Sequence, residues 1–151
     1  MDFVHLHVHS HFSLLNGLTK VKPLVKFAKA KGFKAIALTD YGSMYGAIEF
    51  YQVCLEEGIK PIIGFEAYVM SGSRNNLEED KNIYRLILLA ENFVGYQNLM
   101  RLSSRGHLEG FYRDKPCVDR ELLQEYASGM IALSGPIEGE VPQLLKNKGT
   151  E

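Results

Sequence analysis

The sequence has little cysteine, no tryptophan and no apolar run long enough to cross a membrane. Its two cysteines, Cys54 and Cys117, lie far apart and form no C-x-x-C motif, which argues against a cysteine zinc site or a disulfide framework. No charge sign predominates: the net charge is −1 over 151 residues, so any binding to nucleic acid must be local. No signal-peptide pattern is visible. We therefore expect one cytoplasmic domain, residues 1–151, large enough to bury a core.

Histidine, by contrast, is concentrated in one short segment. Residues 5–11 read HLHVHSH and contain four of the five histidines of the chain: His5, His7, His9 and His11. Because a β-strand turns alternate side chains to the same face, a strand here would align all four imidazoles. Imidazole is the commonest metal-binding side chain, so the segment predicts a metal site, intact or decayed. The alternatives are a polar strand face or a tag remnant, although a tag would not alternate with valine and leucine.

The rest of the chain alternates predicted strands with predicted helices. Strands are expected at 3–9, 35–39, 61–69, 84–90 and 130–134. Helices are expected at 19–31, at 44–55 with Gly58 as the stop, around 96–103, near 119–126 and at 141–148. The polar stretch 71–82 predicts a loop. Apolar strands that alternate with helices predict an α/β fold with a parallel sheet, either open and doubly wound or closed into a barrel.

Functional sites of parallel α/β folds gather at the carboxyl ends of the strands. The predicted strands carry polar groups at these ends: His7 and His9, Asp40 and Tyr41, Glu66, Arg85, and residues 134–136. One carboxylate with two imidazoles suits zinc or manganese, and two metals about 3.5–4 Å apart would suit phosphoester hydrolysis. Taken singly, Asp40 could cap the next helix and Glu66 could be solvated, so only the whole set points to a site.

Six segments resemble, in order, the PHP (polymerase and histidinol phosphatase) domain that begins the bacterial DNA polymerase III alpha subunit. They are FVHLHVHSHFSLLNG, AIALTDYGSMYGAIEFY, GIKPIIGFEAYV, LILLAENFVGYQNLMRL, LEGFY and ALSGPIEGEVPQLL. The resemblance implies the first half of a distorted seven-stranded βα barrel, with parallel strands, helices outside and a three-metal pocket. It also implies a role in DNA replication. The implied partners are the remainder of the polymerase alpha subunit, a proofreading exonuclease subunit and, through the full-length protein, DNA, with no membrane.

The resemblance implies seven metal-ligand positions within this chain. Three keep a metal-binding side chain: His7, His9 and Glu66. Four have lost it: Asn16 stands at an acidic position, Tyr41 and Arg85 stand at histidine positions, and Pro136 stands at a cysteine position. Asp40 is expected to support the ligands without binding the metal.

The substitutions predict a decayed metal site. Tyrosine has an ordinary pKa near 10, and Pro136 offers no side-chain donor. Arg85 places a permanent cation in the pocket, where its repulsion of a divalent ion at about 5 Å would be roughly 6–7 kcal/mol at an effective dielectric near 20. We therefore expect Arg85 to pair with Glu66 in place of the ion. No three-metal cluster is expected, and at most one weakly bound zinc or manganese ion.

Three functions are compatible with the resemblance. We favour a catalytically silent structural and partner-docking module of a replicative polymerase. An active metal-dependent phosphoesterase or 3′–5′ proofreading exonuclease is the second function, and a stand-alone histidinol-phosphatase-like enzyme is the third. The lost ligands argue against both enzymes, and the YGSMYGAIEFY and LEGFY segments resemble the polymerase branch. The parent protein would be a DNA-directed DNA polymerase, a nucleotidyltransferase, whereas this fragment alone is expected to be inactive.

Two further features have simpler explanations. Six lysines lie on and beside the first predicted helix: Lys20, Lys22, Lys26, Lys29, Lys31 and Lys34. They could contact DNA phosphates, but we favour a solvated helix face on the premise that no aromatic residues interleave with them for stacking. His107 stands alone after a predicted helix and is expected to be a surface or packed histidine.

Overall fold

A computed structural model describes residues 3–76 and 82–148 of the chain. Residues 77–81, within the predicted loop, lie outside the described residues. In chain order the elements are α1 (Val21–Ala30), β1 (Ala35–Leu38), α2 (Ala47–Glu57), β2 (Lys60–Met70), β3 (Ile83–Ala90), α3 (Phe93–Glu109), β4 (Phe111–Tyr112), β5 (Lys115–Val118), α4 (Arg120–Glu125), β6 (Met130–Leu133) and α5 (Glu140–Lys148). Each helix and strand predicted after residue 18 is present, although α3 is longer than expected.

The β4–β5 hairpin was not predicted from the sequence. Its turn residues, Arg113 and Asp114, have φ values of +49° and +60°, the left-handed conformation that a type I′ turn requires. Such turns are usually marked by Asn-Gly or Asp-Gly. Neither position holds glycine here, so a turn could be expected in this segment but no hairpin motif marks it.

The histidine segment is extended, but it does not form the regular strand expected at 3–9. Ala37 donates its N–H to the carbonyl of His5 at 2.9 Å, and Thr39 donates to the carbonyl of Val8 at 2.8 Å. The two acceptors in the histidine segment are three residues apart, whereas the two donors on β1 and just after it are two apart. The alternation of side chains between the two faces of the segment therefore slips by one residue. The prediction that all four imidazoles share one face is therefore wrong.

Two of the four imidazoles, those of His5 and His11, pack against phenylalanine rings, and the other two face β2. The ring of His5 packs edge-on against Phe3 and Phe33, with centroid distances of 4.7 and 5.2 Å. The ring of His11 lies 4.3 Å from that of Phe12. His7 and His9 turn towards β2.

The sheet is mixed, and its strand order is β4-β5-β2-β3-β6 with β1 paired to β2. Strands β1 and β5 run parallel to β2, while β3 runs antiparallel to β2, and β6 runs antiparallel to β3. The expected α/β architecture is thus present, but the expectation that consecutive strands would all be parallel is wrong at β3. A parallel neighbour would need a helical crossover, and the polar connection 71–82 has no helical pattern.

The core lies between the sheet and its helices. On β2, Phe65, Ala67 and Val69 point towards α3 and α4, where they join Leu102 and Leu122 in one buried cluster. A second cluster joins α1, α2 and β1. Alternation along β2 turns Glu66 and Tyr68 to the opposite face, away from these helices. Within residues 3–76 and 82–148, no helix is long and apolar enough to span a membrane.

Candidate functional site

Glu66 is the centre of the candidate site. Its side chain is fully buried, and its backbone is fixed on both sides because its N–H donates to Asp40 and its carbonyl accepts from Gly42, each at 2.9 Å. Both imidazoles converge on one carboxylate oxygen: Nε2 of His7 lies 2.6 Å, and Nε2 of His9 2.7 Å, from Oε2 of Glu66. Burial alone would raise the pKa of Glu66, but the hydrogen bonds with His9 and His7 outweigh burial and lower it.

His7, His9 and Glu66 form the one cluster of three potential metal ligands in the described part of the chain, with ligand atoms within 4.8 Å of one another. A tetrahedral zinc ion with bonds of about 2.0–2.1 Å would need neighbouring ligand atoms roughly 3.3 Å apart. The two distances from imidazole nitrogen to Oε2 of Glu66, 2.6 and 2.7 Å, are shorter than this, so both rings would have to move slightly away from the carboxylate to admit one ion. The residues therefore fit a single metal.

Arg85 supplies the positive charge beside this carboxylate. The β2–β3 register pairs Arg85 with Tyr68 and Ile87 with Glu66, so Arg85 and Glu66 are diagonal neighbours on one face. Nη1 of Arg85 lies 3.8 Å from Oε1 of Glu66, within the salt-bridge distance expected from the sequence. No hydrogen bond from the described residues reaches this buried oxygen, so Arg85 supplies charge there but no hydrogen bond.

The hydrogen bond of Arg85 goes to Tyr41 instead. Nη1 of Arg85 donates to the Tyr41 hydroxyl at 3.0 Å, and the Tyr41 ring stacks on His9 with a centroid distance of 4.0 Å. Burial raises the pKa of Tyr41, the charge of Glu66 adds to this increase, and Arg85 opposes it. The hydroxyl therefore stays protonated at neutral pH, and a neutral phenol is a poor metal ligand.

Comparisons with known proteins identify the family of this chain. The family model for the PHP domain matches residues 5–151. The chain belongs to the PHP domain family. It is 48% identical over 151 residues to DNA polymerase III subunit alpha of Thermus aquaticus, a match that covers 96% of this chain and 12% of that protein. The corresponding protein of Treponema pallidum is 51% identical over 148 residues, with 96% and 13% covered.

This PHP chain spans only about an eighth of the length of these relatives, in their N-terminal region. Among solved structures, a protein described as a metal-dependent phosphoesterase from Bifidobacterium adolescentis aligns with a TM-score of 0.50 and 16% identity. The alignment covers 71% of this chain and 34% of that one. The likeness concerns the fold, and it agrees with the expected partial PHP barrel.

Asp40 has a different task from the helix cap considered above. Its fully buried carboxylate accepts hydrogen bonds from the Ser10 N–H and the Ser13 hydroxyl, both at 2.6 Å, and from the Ser10 hydroxyl at 2.8 Å. The N-cap of α2 is Gly46, which makes no side-chain capping bond. Asp40 therefore fixes the turn that follows His9 in this PHP domain, and the hydrogen bonds of its side chain go to Ser10 and Ser13 rather than to Glu66.

The two remaining positions at which the family resemblance implies a lost ligand lie in turns. Asn16 is exposed and donates its side-chain amide to the carbonyl of Leu14 at 3.2 Å. Pro136 follows β6, and its carbonyl accepts from the N–H of Gly139 at 2.8 Å.

Arg85 differs from expectation in its place along the strand. It lies near the beginning of β3, and it reaches the site because β3 runs antiparallel to β2.

Glu138 is a contributor that sequence reasoning missed. Its carbonyl accepts the backbone N–H of Arg85 at 3.2 Å, and its negative charge helps to raise the pKa of Tyr41. An acidic residue in a loop carries no pattern that could have marked it. His107, by contrast, is a packed histidine as expected, with Nδ1 2.8 Å from the carbonyl of Ser103.

Proposed function

We propose that residues 1–151 are the N-terminal portion of the PHP domain of a bacterial replicative DNA polymerase, and that this portion is structural. The observation that carries the proposal is the position of Arg85. A permanent cation lies 3.8 Å from the buried carboxylate that would otherwise bind a metal, and it is tied to Tyr41. Partial charge compensation by a neighbouring side chain lowers the need for a metal to offset the burial of Glu66.

The proposed partner is the remainder of a polymerase alpha subunit in the same polypeptide. The turn fixed by Asp40 presents three strongly exposed leucines: Leu14, Leu15 and Leu18 are 77%, 105% and 94% exposed. Hydrogen bonds to Asp40 hold this turn in place, so the leucines do not pack against the core of this chain. A later part of the polypeptide would bury them. A proofreading exonuclease subunit and DNA are further proposed partners of the full-length protein, and replication would place it in the cytoplasm.

A second candidate function rests on the three residues that fit one ion. His7, His9 and Glu66 would hold a single zinc or manganese ion, and such an ion lowers the pKa of a bound water and so supplies a nucleophile for phosphoester hydrolysis. This would be a phosphoesterase or 3′–5′ exonuclease, or a stand-alone phosphatase of the histidinol-phosphate type. A charge repulsion of several kcal/mol from Arg85 argues against tight binding.

Metal titration separates the two candidates. The wild-type chain, Arg85→His and the double variant Tyr41→His with Arg85→His are titrated with Zn²⁺ by calorimetry, with elemental analysis for stoichiometry. His107→Ala serves as the control for a remote histidine. We expect at most one weak ion in the wild type, tighter binding in Arg85→His, and tighter still in the double variant.

Hydrolysis of a phosphodiester by the wild type should not respond to Mn²⁺ or Zn²⁺. Two or more stoichiometric ions in the wild type, or metal-dependent cleavage that His9→Ala abolishes, would overturn the structural proposal. Faster cleavage of a phosphate monoester would point to the stand-alone phosphatase.

A further inference from the structure

The charges of this chain are strongly segregated along the sequence. Residues 1–39 contain six lysines and a single acidic residue, Asp2, whereas residues 40–151 contain 17 acidic and 11 lysine or arginine residues. The overall charge of −1 is therefore the sum of a basic N-terminal quarter and an acidic remainder. Local binding of a polyanion is possible on the basic part even though the whole molecule is nearly neutral.

Helix α1 concentrates this positive charge on one exposed face. Its buried residues are Val21, Val25 and Ala28, which turn one side of the helix to the core. Lys22, Lys26 and Lys29 follow one another at intervals of four and three residues, so they share a single exposed stripe, here called the lysine face. At 1.5 Å per residue the stripe is about 10 Å long.

The lysine face differs from an ordinary solvated helix surface. Such surfaces usually alternate glutamate with lysine at intervals of four residues, which stabilises the helix, whereas like charges at the same spacing destabilise it. Helix α1 contains no acidic residue at all. In the described part of the chain, the ion pair found on this face joins Lys29 to Glu57 at 2.9 Å. The repulsion between Lys22 and Lys26 would be offset by a bound polyanion.

The premise that favoured a merely solvated face, that no aromatic residue interleaves with the lysines, is wrong, because Phe27 stands between Lys26 and Lys29. Phe27 lies within the lysine stretch and is 60% exposed, with the ammonium group of Lys31 5.4 Å from its ring centre. An exposed aromatic ring beside several cations is the combination that proteins use to bind single-stranded nucleic acid, since bases stack on the ring and phosphates meet the cations.

We propose that the lysine face, together with Phe27, binds single-stranded DNA through its phosphodiester backbone without reading the base sequence. Lysine is a point charge suited to phosphate, and helix α1 has no arginine, asparagine or glutamine that could recognise a base edge in two-point fashion. This inference rests on the proposed replication role. It does not depend on Arg85, Glu66 or any metal.

The test measures binding of a fluorescent 20-nucleotide thymidine oligomer to the 151-residue chain by anisotropy, over a series of salt concentrations. The variant Lys22→Gln with Lys26→Gln removes two charges from the face. The control, Arg101→Gln with Lys146→Gln, removes the same charge from exposed positions outside the basic N-terminal part. Phe27→Ala tests stacking, and circular dichroism checks that every variant is folded.

We expect the Lys22 and Lys26 double variant to bind about tenfold more weakly at low salt, and the slope of log affinity against log salt to fall by roughly 1.4. Phe27→Ala should weaken binding at least about fivefold, whereas the control should change it less than about twofold. Equal losses in the variant and the control, or an unchanged salt slope, would overturn the proposal. So would tighter binding of the same face to a polyglutamate peptide or to phosphatidylglycerol vesicles than to DNA.

The result is independent of the metal titrations. If DNA binding fails while the wild type still binds no more than one metal ion, the structural role stands and the proposal that the lysine face binds DNA is refuted. If DNA binding succeeds while the wild type binds a metal cluster, the structural role is refuted instead.

Discussion

The guanidinium of Arg85 donates a hydrogen bond to the hydroxyl of Tyr41 at 3.0 Å and also lies 4.9 Å from the centre of the same ring. Two substitutions at positions where the family resemblance implies histidines thus contact each other. Tyr41 in turn stacks on His9, whose ring contacts that of His7, so a continuous set of contacts joins the arginine to both histidines. The side chains of the pocket therefore have partners among the described residues, which accounts for their ordered arrangement.

Replacing Arg85 with alanine should destabilise the chain by about 1–3 kcal/mol. The value lies between that of a buried and that of an exposed ion pair, because Glu66 is fully buried while Arg85 is 30% exposed. For a domain of this size, that loss lowers the melting temperature by roughly 2–12 °C. Thermal melts at neutral pH provide the measurement.

Arg120→Ala is the matched control, since Arg120 pairs with Glu140 but is 70% exposed. It should cost less than about 1 kcal/mol. If Arg85→Ala proved no more destabilising than this control, Arg85 would not compensate the charge of Glu66.

The elements of the fold could be predicted because each helix or strand carries its own periodic pattern. In α1, for example, Val21, Val25 and Ala28 recur at helical spacing, and Gly58 ends α2 with φ of +71°. The direction of β3 could not be predicted, because it depends on how the chain turns between 71 and 82. The slip in the histidine segment was likewise invisible, since it arises from pairing with β1 rather than from local sequence.

The candidate site was predicted as a set of residues but not as a geometry. The sequence placed His7, His9, Glu66 and Arg85 together through the family resemblance. It could not show that both imidazoles share one oxygen of Glu66, or that Arg85 bonds to Tyr41, because both depend on side-chain orientation across strands. Nor could it reveal the contribution of Glu138, which comes from a loop.

The ion pair between Arg74 and Asp119 should make stability depend on acid pH. Burial alone would raise the pKa of Asp119, but hydrogen bonds from the N–H groups of Arg74 and Leu122 and the charge of Arg74 outweigh it and lower that pKa. A lowered folded pKa means that the stabilisation is complete above the ordinary aspartate pKa of about 3.9. It is lost as the pH falls through the lower folded value.

Asp119→Asn should therefore destabilise the chain by roughly 1–3 kcal/mol at pH 7, because Arg74 is buried but keeps Glu109 and Glu121 as ion-pair partners at 3.1 and 3.3 Å. The difference from wild type should shrink below about pH 4. Urea unfolding at pH 7, 5 and 3 measures it. Glu125→Gln, at an exposed pair with Arg105, is the control and should cost less than about 1 kcal/mol. If the difference in stability between wild type and Asp119→Asn stayed constant down to pH 3, it would not arise from the ionised carboxylate of Asp119.

Gly17→Ala should disrupt the turn that follows His9. A Cβ atom at this position would lie 1.9 Å from the carbonyl oxygen of Ser10, so the backbone must move. We expect a loss of roughly 2–4 kcal/mol in the free energy of unfolding, measured by urea denaturation. Gly106→Ala is the control, because its Cβ would approach no atom closer than 3.3 Å. Equal stabilities of the two variants would mean that the turn is not fixed in this conformation.

Leu15→Asn should stabilise the isolated chain, which is unusual for a surface substitution. Leu15 has φ of +65°, a left-handed conformation that strains a leucine but suits asparagine, and its side chain is fully exposed. We expect a gain of about 0.5–1 kcal/mol in urea unfolding. Leu14→Asn, which removes a neighbouring exposed leucine outside the left-handed region, should give no such gain and serves as the control. In a longer polypeptide that carries the remaining polymerase regions, Leu15→Asn should instead lose stability, because the leucine would be buried there. Stabilisation in both settings would show that the strained leucine is not held in place for a docking contact.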